Sequence, residues 1–334
     1  MNRSRINWLV NPDGTQGYSW NPIKGCSPAH IGCTCCYAAR MAATRLAHLP
    51  EYAGLARRPY VDGNTWNVAR WTGEVRFFPE RLAEPLRRRK PSAIFPVDMG
   101  DLFHEKVTNE QIAAVFGAMA ATPQHRYTVL TKRARRMREW FEWIGEQDGG
   151  PSLHAAWCLL DEERRSVGDD GPIHCKYGPN PDSPWPPPNV ALLVSVSDQP
   201  TAELILELLQ TPAAMRGVSF EPAVAPVDFT FLNDGSWYDR EGAQCYDALR
   251  GHAYYRDGEH GLGGGPKLDW VIVGGESGPN ARPCNVECIR SVVSQCAEAR
   301  VPCWVKQMHI DGKLVDDVER FPADLCVRQR PAGW

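Results

Sequence analysis

Four of the twelve cysteines in this 334-residue chain fall between residues 26 and 36. Three of them, Cys26, Cys33 and Cys36, have the spacing C-x6-C-x2-C. Three thiolates on one short loop are suitable ligands for a metal ion or an iron–sulfur cluster. Because a closed zinc site uses four nitrogen or sulfur ligands, three cysteines favour a four-iron [4Fe-4S] cluster with one open iron.

Two neighbouring residues offer a fourth ligand. His30 lies inside the loop, and Cys35 lies beside Cys36, although an extended turn would point the Cys35 side chain away from its immediate neighbours. With a fourth ligand the loop would hold zinc instead of a cluster. A group of free, buried thiols is the remaining alternative.

After the loop, short apolar runs alternate with segments that favour helix. The clearest runs are residues 93–97, 127–130, 190–196, 217–220, 269–273 and 301–305. This alternation predicts right-handed βα units and a parallel sheet. Seven or eight such units favour a complete or partial (β/α) barrel in one domain over residues 1–334. Two stretches, about 146–189 and 233–267, interrupt the rhythm and are predicted to be loop insertions on the barrel.

Each apolar run ends in polar or glycine residues. In a parallel barrel these ends meet at one rim, where the active sites of such enzymes lie. The predicted catalytic residues are Asp101, His104, Glu221 and Lys306. The predicted cofactor-binding residues of this kind are Asp98, Ser195, Ser197, Gly274, Gly275 and Glu276. The alternative for Asp101 is a turn cap, since aspartate readily bonds nearby backbone groups.

Composition restricts the partners of the chain. The formal net charge is −3, so no global field draws the chain to nucleic acid. The first residues are polar and basic without an apolar run, and no stretch of about 18 apolar residues occurs. We therefore expect no membrane partner and a cytoplasmic location, where clustered cysteines indicate a metal or catalysis rather than disulfides.

Two basic runs, residues 87–90 and 132–138, are local exceptions to this charge balance. They are typical of a solvated helix face, and the sharper interpretation is a groove for a nucleic-acid backbone. Cys158, Cys175 and Cys245 lie in the insertions, where an accessory metal site is an alternative to simple burial. The remaining cysteines near the last helix and strand are predicted to be packing residues, namely Cys284, Cys288, Cys296 and Cys303.

Several motifs together resemble one protein family. They are Trp20-Asn21-Pro22, Gly25-Cys26, Gly32-Cys33, Cys36-Tyr37-Ala38, Asp101-Leu102-Phe103-His104, Leu130-Thr131-Lys132-Arg133, Ser219-Phe220-Glu221-Pro222, the run from Asp269 to Gly278, and Lys306-Gln307. This set resembles the phage and bacterial three-cysteine family of uncharacterised proteins that are similar to radical S-adenosylmethionine (SAM) enzymes. The usual radical-SAM spacing is C-x3-C-x2-C, and the first gap here is six residues.

The resemblance implies a [4Fe-4S] cluster whose open iron binds SAM. An electron from a reductase or another donor would then give a 5′-deoxyadenosyl radical inside the barrel. Glu74 stands where such enzymes carry a G-G-E type segment, so it is predicted to bind cofactor, with a plain turn as the alternative. Tyr37, from the cysteine motif, is predicted to bind cofactor as well.

A nucleic acid or a modified nucleotide is the substrate class that the phage setting and the basic runs favour. Two other functions fit the same residues. One is an iron–sulfur protein that binds or senses without catalysis. The other is a zinc-stabilised DNA-binding protein.

Overall fold

The computed structural model describes residues 1–58, 61–62, 65–66, 68–167, 184–233, 243–255, 260–278 and 280–334. Nine strands belong to one sheet. Their bounds are β1 (Asn2–Arg3), β2 (Tyr18–Trp20), β3 (Ala93–Pro96), β4 (Arg126–Thr131), β5 (Val190–Val196), β6 (Met215–Phe220), β7 (Trp270–Gly274), β8 (Cys303–Ile310) and β9 (Lys313–Val315).

The order of the strands in the sheet follows their order in the chain, from β1 to β9. Strands β2, β3 and β4 pair in parallel, and so do β6, β7 and β8. The end strands β1 and β9 pair antiparallel to their neighbours. The fold is therefore mixed α/β with a large, mostly parallel sheet. Within the described residues the strand order is linear, and no closed barrel is found.

Eight α-helices accompany the strands. They are α1 (Tyr37–Ala43), α2 (Ala83–Leu86), α3 (Asn109–Ala120), α4 (Ala134–Gly145), α5 (Pro151–Val167), α6 (Gln199–Ala202), α7 (Leu204–Gln210) and α8 (Val286–Ala299). The sequence favours a helix over residues 79–89, but the structure has only α2 there, preceded by a 3-10 turn at Pro79–Arg81, because Pro79 and Pro85 remove backbone donors. The sequence also favours a first helix over residues 37–49, and α1 is shorter, since it ends at Ala43.

Both predicted insertions contain regular structure. Helix α5 lies in the first, where a loop is predicted, and its Ala155 carbonyl approaches α3 so closely that a Cβ at Gly117 would lie 2.3 Å away. The second holds a three-stranded antiparallel sheet of Ala243–Asp247, His252–Tyr255 and His260–Gly263. Cys175 lies outside the described residues, so its proposed metal role remains a prediction.

Short ladders complete the secondary structure near the cysteine loop. Ile23–Lys24 pairs with Arg76–Phe77, and Ala56–Arg57 pairs with Arg70–Trp71. A further pair joins Val61–Asp62 to Thr65–Trp66. Other short 3-10 turns lie at Ile31–Cys33, Pro50–Tyr52, Val318–Arg320 and Ala323–Leu325.

The chain divides into two compact units. The first unit contains residues 1–29, 36–191 and 212–214, and the second contains residues 30–35, 192–211 and 215–334. Domain organisation as one barrel over residues 1–334 stays a prediction. Among the described residues, no helix has the length and apolar character needed to cross a membrane.

An aromatic core holds the first unit. Trp140 on α4 is fully buried and stacks on Phe116 of α3 with ring centroids 4.6 Å apart. Helix α3 begins at a capping box in which Thr108 and Gln111 bond each other's backbone N–H groups. These two features fix the helices that support β3 and β4.

Apolar strands hold the second unit. Val271, Ile272 and Val273 of β7 are fully buried, and β7 pairs with β6 on one side and β8 on the other. Helix α8 begins at Asn285, whose side chain accepts from the backbone N–H of Glu287. The carboxyl ends of β6, β7 and β8 thus lie at one edge of the sheet.

Candidate functional site

The backbone around Cys26 is held closely by neighbouring segments of the first unit. The N–H of Gly25 donates to the carbonyl of Met99 at 3.0 Å, and the N–H of Gly73 donates to the carbonyl of Cys26 at 3.2 Å. Gly25 has a φ of +97°, and a Cβ there would lie 2.1 Å from the carbonyl oxygen of Glu74. Only glycine fits this position without moving backbone.

Cys36 occupies the N-cap of α1 in the same unit. Its Sγ accepts a hydrogen bond from the N–H of Ala39 at 3.5 Å. Cys26 and Cys36 both contact one apolar cluster, and the other buried members of that cluster are Ala38, Ala39, Ala42, Tyr52, Leu55, Trp71 and Met99. The two thiols therefore border a common, largely dry environment.

Arg133, directly after β4, is the most heavily bonded side chain near Cys26. Its guanidinium lies 3.6 Å from the Cys26 Sγ and donates to the carbonyl and the hydroxyl of Ser27, both at 2.9 Å. It also pairs with Asp101 and with Glu105, each at 3.1 Å. We call this group the Arg133 cluster; its members are Cys26, Ser27, Asp101, His104, Glu105 and Arg133.

The charge of Arg133 is stabilised within that cluster. Burial opposes the charge, but the negative groups of Asp101, Cys26 and Glu105 outweigh burial and raise the pKa of Arg133 above its ordinary value. Arg133 therefore stays a cation beside the Cys26 sulfur.

Asp101 is a buried framework residue of the Arg133 cluster. One carboxylate oxygen accepts from the N–H of Phe103 at 3.0 Å and from the hydroxyl of Thr131 at 2.7 Å. The other accepts from the N–H of Lys132 and from Arg133, both at 3.1 Å. Four hydrogen bonds leave this carboxylate little capacity for proton transfer, and they tie its turn to the end of β4.

His104 is fully buried and faces Ser27. Its Nδ1 accepts from the N–H of Lys106 at 3.1 Å, and its Nε2 lies 2.9 Å from the Ser27 hydroxyl. The neutral ring must then carry its proton on Nε2. Burial, with Arg133 nearby, lowers the pKa of His104. The ring is thus placed to donate a hydrogen bond rather than to act as the base of a serine nucleophile.

Asp98 and Tyr37 lie together at the end of β3. The Asp98 carboxylate accepts from the Ser19 hydroxyl at 2.7 Å and from the amide of Asn21. The Tyr37 hydroxyl donates to the backbone carbonyl of Asp98 at 2.9 Å. Burial raises the pKa of Asp98. Val97, just before it, has a φ of +62°, a costly conformation for a β-branched residue that marks a strained strand end.

The segment that carries Cys33, residues 30–35, belongs to the second unit. His30 caps it: its Nδ1 accepts from the N–H of Gly32 at 3.0 Å, and its Nε2 lies 3.2 Å from the carbonyl of Ser195. Both ring nitrogens are thus engaged, which disfavours His30 as a fourth metal ligand. Arg282 donates to the carbonyl of Ile31 at 3.2 Å.

Cys35 is held on the same side of that segment as Arg282. Its Sγ donates to the carbonyl of Asn280 at 3.5 Å. Burial, followed by the charge of Glu276, raises the pKa of Cys35. A thiol with a raised pKa beside a carboxylate is a poor metal ligand, so Cys35 is disfavoured as the fourth ligand too.

The ends of β6 and β8 bring Glu221 and Lys306 together in the second unit. Lys306 Nζ lies 2.7 Å from one oxygen of Glu221, and the Ser219 hydroxyl donates to the other at 3.0 Å. A Cβ at Gly274 would lie 2.9 Å from the Glu221 carboxylate, so the glycine at the end of β7 leaves room for it. The Glu221-Pro222 peptide bond is cis.

The other predicted residues of this edge are bonded to protein groups. The Gln307 amide donates to the carbonyl of Gly275 at 2.7 Å. Glu276 accepts from Arg282 at 2.7 and 3.0 Å. The Ser195 hydroxyl donates to the carbonyl of Glu221 at 3.1 Å. In contrast, the buried Ser197 hydroxyl has no hydrogen-bond partner within the described part of the chain.

The two basic runs are occupied by contacts inside the first unit. On α4, Arg135 pairs with Glu139 at 3.0 Å, and Arg138 and Arg136 bond Glu142 and Asn109. In the other run, Arg88 stacks on the ring of Tyr18 at 3.8 Å, and Lys90 pairs with Asp13 at 2.7 Å. These contacts favour a solvated surface over an open groove. Only the second run lies on a helix, because residues 87–90 follow the end of α2 at Leu86.

The three predicted cluster ligands are divided between the units, with Cys26 and Cys36 in the first and Cys33 in the second. Across the described ranges, no three His, Cys, Asp or Glu side chains gather as a site that could hold a metal ion. All the described cysteines are free thiols.

Sequence reasoning missed Ser27 and Arg282 and left Arg133 out of the site. The position of Arg133 directly after a predicted strand, within the motif Leu130-Thr131-Lys132-Arg133, was a usable signal. Arg282 had none for its contact with the cysteine loop, because it is 251 residues from Ile31 in the sequence. Glu74 follows Gly73, whose N–H contacts Cys26, but its own carboxylate pairs with Lys106 at 3.2 Å.

Comparisons with known proteins give one match. A family described as "Protein of unknown function (DUF5131)" matches residues 3–319. A search of curated proteins and a search of solved structures return no match. Because the matched region covers nearly the whole sequence, the chain belongs to the DUF5131 family of proteins of unknown function.

Proposed function

We propose that this protein is a radical SAM-type enzyme whose cluster is held by Cys26, Cys33 and Cys36. We further propose that the protein folds as a complete or partial (β/α) barrel and that it is located in the cytoplasm. It also places the chain in the three-cysteine, radical-SAM-like group that its motifs resemble. SAM and an electron donor are the required partners.

The observation that carries the proposal is the contact between Arg133 and the Cys26 sulfur. One Arg133 nitrogen donates toward the Cys26 sulfur and another holds Ser27 beside it, and a fixed hydrogen-bond donor on the ligand atom is a common feature of metal-binding side chains. Thiolates are the ligands that iron–sulfur clusters use. An ordinary packing cysteine needs no such neighbour.

The donor set, three cysteine thiols, suits the cluster in type and number. When bound, a [4Fe-4S] cluster with an open iron would bind SAM and supply one-electron reduction of its sulfonium group. The chain's own residues have separate tasks. Arg133 and Asp101 hold the Cys26 end of the loop, whereas His30 and Arg282 hold the segment with Cys33.

Glu221 and Lys306 are the residues that we propose to contact the substrate and to take part in catalysis. Their pair is partly exposed, with side-chain exposures of 12% and 23%. A carboxylate and an ammonium at 2.7 Å can exchange a proton or orient a polar substrate group between them. Gly274 keeps the space beside Glu221 free. Of the two serines predicted to bind cofactor, Ser197 is the better placed, because its buried hydroxyl has no hydrogen-bond partner among the described residues.

A nucleic acid or a modified nucleotide remains the proposed substrate class. Support for it comes mainly from the resemblance, because several members of the basic runs bond groups within the chain. Modified nucleotides need no long cationic groove, so we favour them within this class.

SAM cleavage tests the proposal. Anaerobic protein, reduced by dithionite with SAM present, is expected to release 5′-deoxyadenosine, and Cys26→Ala should abolish the release. Cys158→Ala serves as the control, because Cys158 is a buried cysteine outside the loop. Iron without SAM cleavage would favour the alternative of a binding or sensing protein. Zinc in place of iron would reject the proposal.

A further inference from the structure

Arg133 contacts the cysteine loop at Cys26 and Ser27 in addition to its two ion pairs with Asp101 and Glu105. Its Nη1 reaches both the Cys26 sulfur and the Asp101 carboxylate, its Nη2 donates to Ser27, and its Nε pairs with Glu105. A planar guanidinium with five N–H donors can satisfy all four groups at once, and a lysine ammonium cannot. The side chain is only 12% exposed, so these bonds are little screened by water.

Asp101 fixes the orientation of the Arg133 guanidinium. Because the carboxylate also bonds Thr131 and the N–H of Lys132, it cannot turn toward solvent without breaking the end of β4. Arg133 is thereby aimed at Cys26 before any ligand arrives. The other Arg133 partner, Glu105, is 64% exposed and contributes little to this direction.

We propose that Arg133 is a positioning residue that fixes Cys26 and makes a cluster bound there easier to reduce. The second half rests on the proposed function. A cluster gains one negative charge on reduction, and a cation that donates a hydrogen bond to a ligand sulfur stabilises that charge. Removal of the guanidinium should therefore lower the reduction potential.

The positioning half is tested on the full chain without iron. Hydrogen–deuterium exchange of residues 24–29 is expected to be at least about tenfold faster in Arg133→Gln than in the unsubstituted chain. Arg135→Gln is the matched control, since Arg135 lies on the same helix and pairs only with exposed Glu139. Equal exchange in Arg133→Gln and the control would overturn this half.

The redox half is tested after anaerobic loading. At a fixed potential near the midpoint, the ratio of reduced to oxidised cluster is expected to fall about tenfold in Arg133→Gln, equivalent to about 59 mV for one electron. If Arg133→Gln fails to fold, Arg133→Lys is used instead, because it keeps a cation beside Asp101. We expect Arg133→Lys to fold and to have a ratio of reduced to oxidised cluster between those of the unsubstituted chain and Arg133→Gln.

The outcomes separate the two claims. An unsubstituted chain that binds no iron removes the proposed function and the redox half, while the exchange result still decides the positioning half. Iron at full content, with the same ratio in Arg133→Gln, Arg133→Lys and Arg135→Gln, would overturn the redox half alone.

Discussion

The Arg133 cluster in the first unit and the Glu221–Lys306 pair in the second contain similar groups in different states. Asp101 is 5% exposed and accepts four hydrogen bonds, whereas the Glu221 side chain is 12% exposed and, within the described part of the chain, bonds Ser219 and Lys306. The Asp101 carboxylate is fully used in hydrogen bonds that stabilise the fold, whereas the Glu221 carboxylate can accept a further hydrogen bond. Position at a strand end therefore identifies a candidate, and the number of protein bonds decides its task.

The largest expected effect is the loss of the buried carboxylate. Asp101→Ala should reduce the free energy of unfolding by about 4 kcal/mol, because it removes the acceptor of four donors, one of which is the charged and mostly buried Arg133 guanidinium. Glu105→Ala is the matched control, with the same 3.1 Å distance to Arg133 but an exposed side chain. We expect a change within about 0.5 kcal/mol for it. Urea unfolding of both variants measures the difference, and equal values would reject the framework role.

The second prediction concerns the pair in the other unit. Glu221→Gln and Lys306→Met should each reduce SAM-dependent turnover at least about 100-fold, the usual range for acid–base groups. Each change should also reduce the free energy of unfolding by about 3 kcal/mol, because it breaks an ion pair whose side chains are only 12% and 23% exposed, so turnover is compared between fully folded samples. Asp324→Asn, in the exposed pair with Arg290, is the control. Turnover that survives both substitutions would remove the pair from catalysis.

Substitution of one glycine in each unit, Gly25 and Gly274, extends the comparison between the two sites. A Cβ at Gly25 would meet the carbonyl oxygen of Glu74, but at Gly274 it would meet the movable side chain of Glu221. Gly25→Ala should therefore destabilise the protein by about 2 kcal/mol more than Gly274→Ala. Gly73→Ala controls for positive φ, because its added Cβ would have no neighbour within 4 Å. Thermal and urea unfolding decide, and the same loss at Gly25 and Gly73 would contradict the clash.

The smallest expected effect is a pH dependence from His104. Its pKa is below the ordinary 6.5, first through burial and then through Arg133, while Glu105 and Asp101 oppose the shift and Lys106 adds to it. The unfolded state therefore binds its proton first, and stability is lost as pH falls below about 6.5. In His104→Asn, the free energy of unfolding, measured by urea unfolding, should depend less on pH between pH 7 and pH 5. An unchanged slope would show that the ring is not responsible.

Local patterns predicted much of the fold. Helix α3 begins at Asn109 as predicted, since Thr108 and Gln111 form a capping box that depends on neighbouring residues alone. The apolar runs became β3 to β8, with bounds within a few residues. Helix α5 was missed because the surrounding glycines, prolines and acidic residues of 146–189 indicate loop.

The site was predicted less completely for a physical reason. Types and spacing identified the cysteines and the strand-end carboxylates. They could not show that Asp101 is saturated by hydrogen bonds, or that Arg282 reaches Ile31, because such contacts join residues far apart in the chain. Closure of the sheet into a barrel is likewise a long-range property.

Metal content tests the central claim most directly. Iron, sulfide and zinc should be counted in protein purified without oxygen, together with Cys33→Ala and Cys35→Ala. We predict about four irons and four sulfides per chain, as a [4Fe-4S] cluster requires, lost in Cys33→Ala and retained in Cys35→Ala. Equal loss in both variants, or about one zinc in place of iron, would contradict the account.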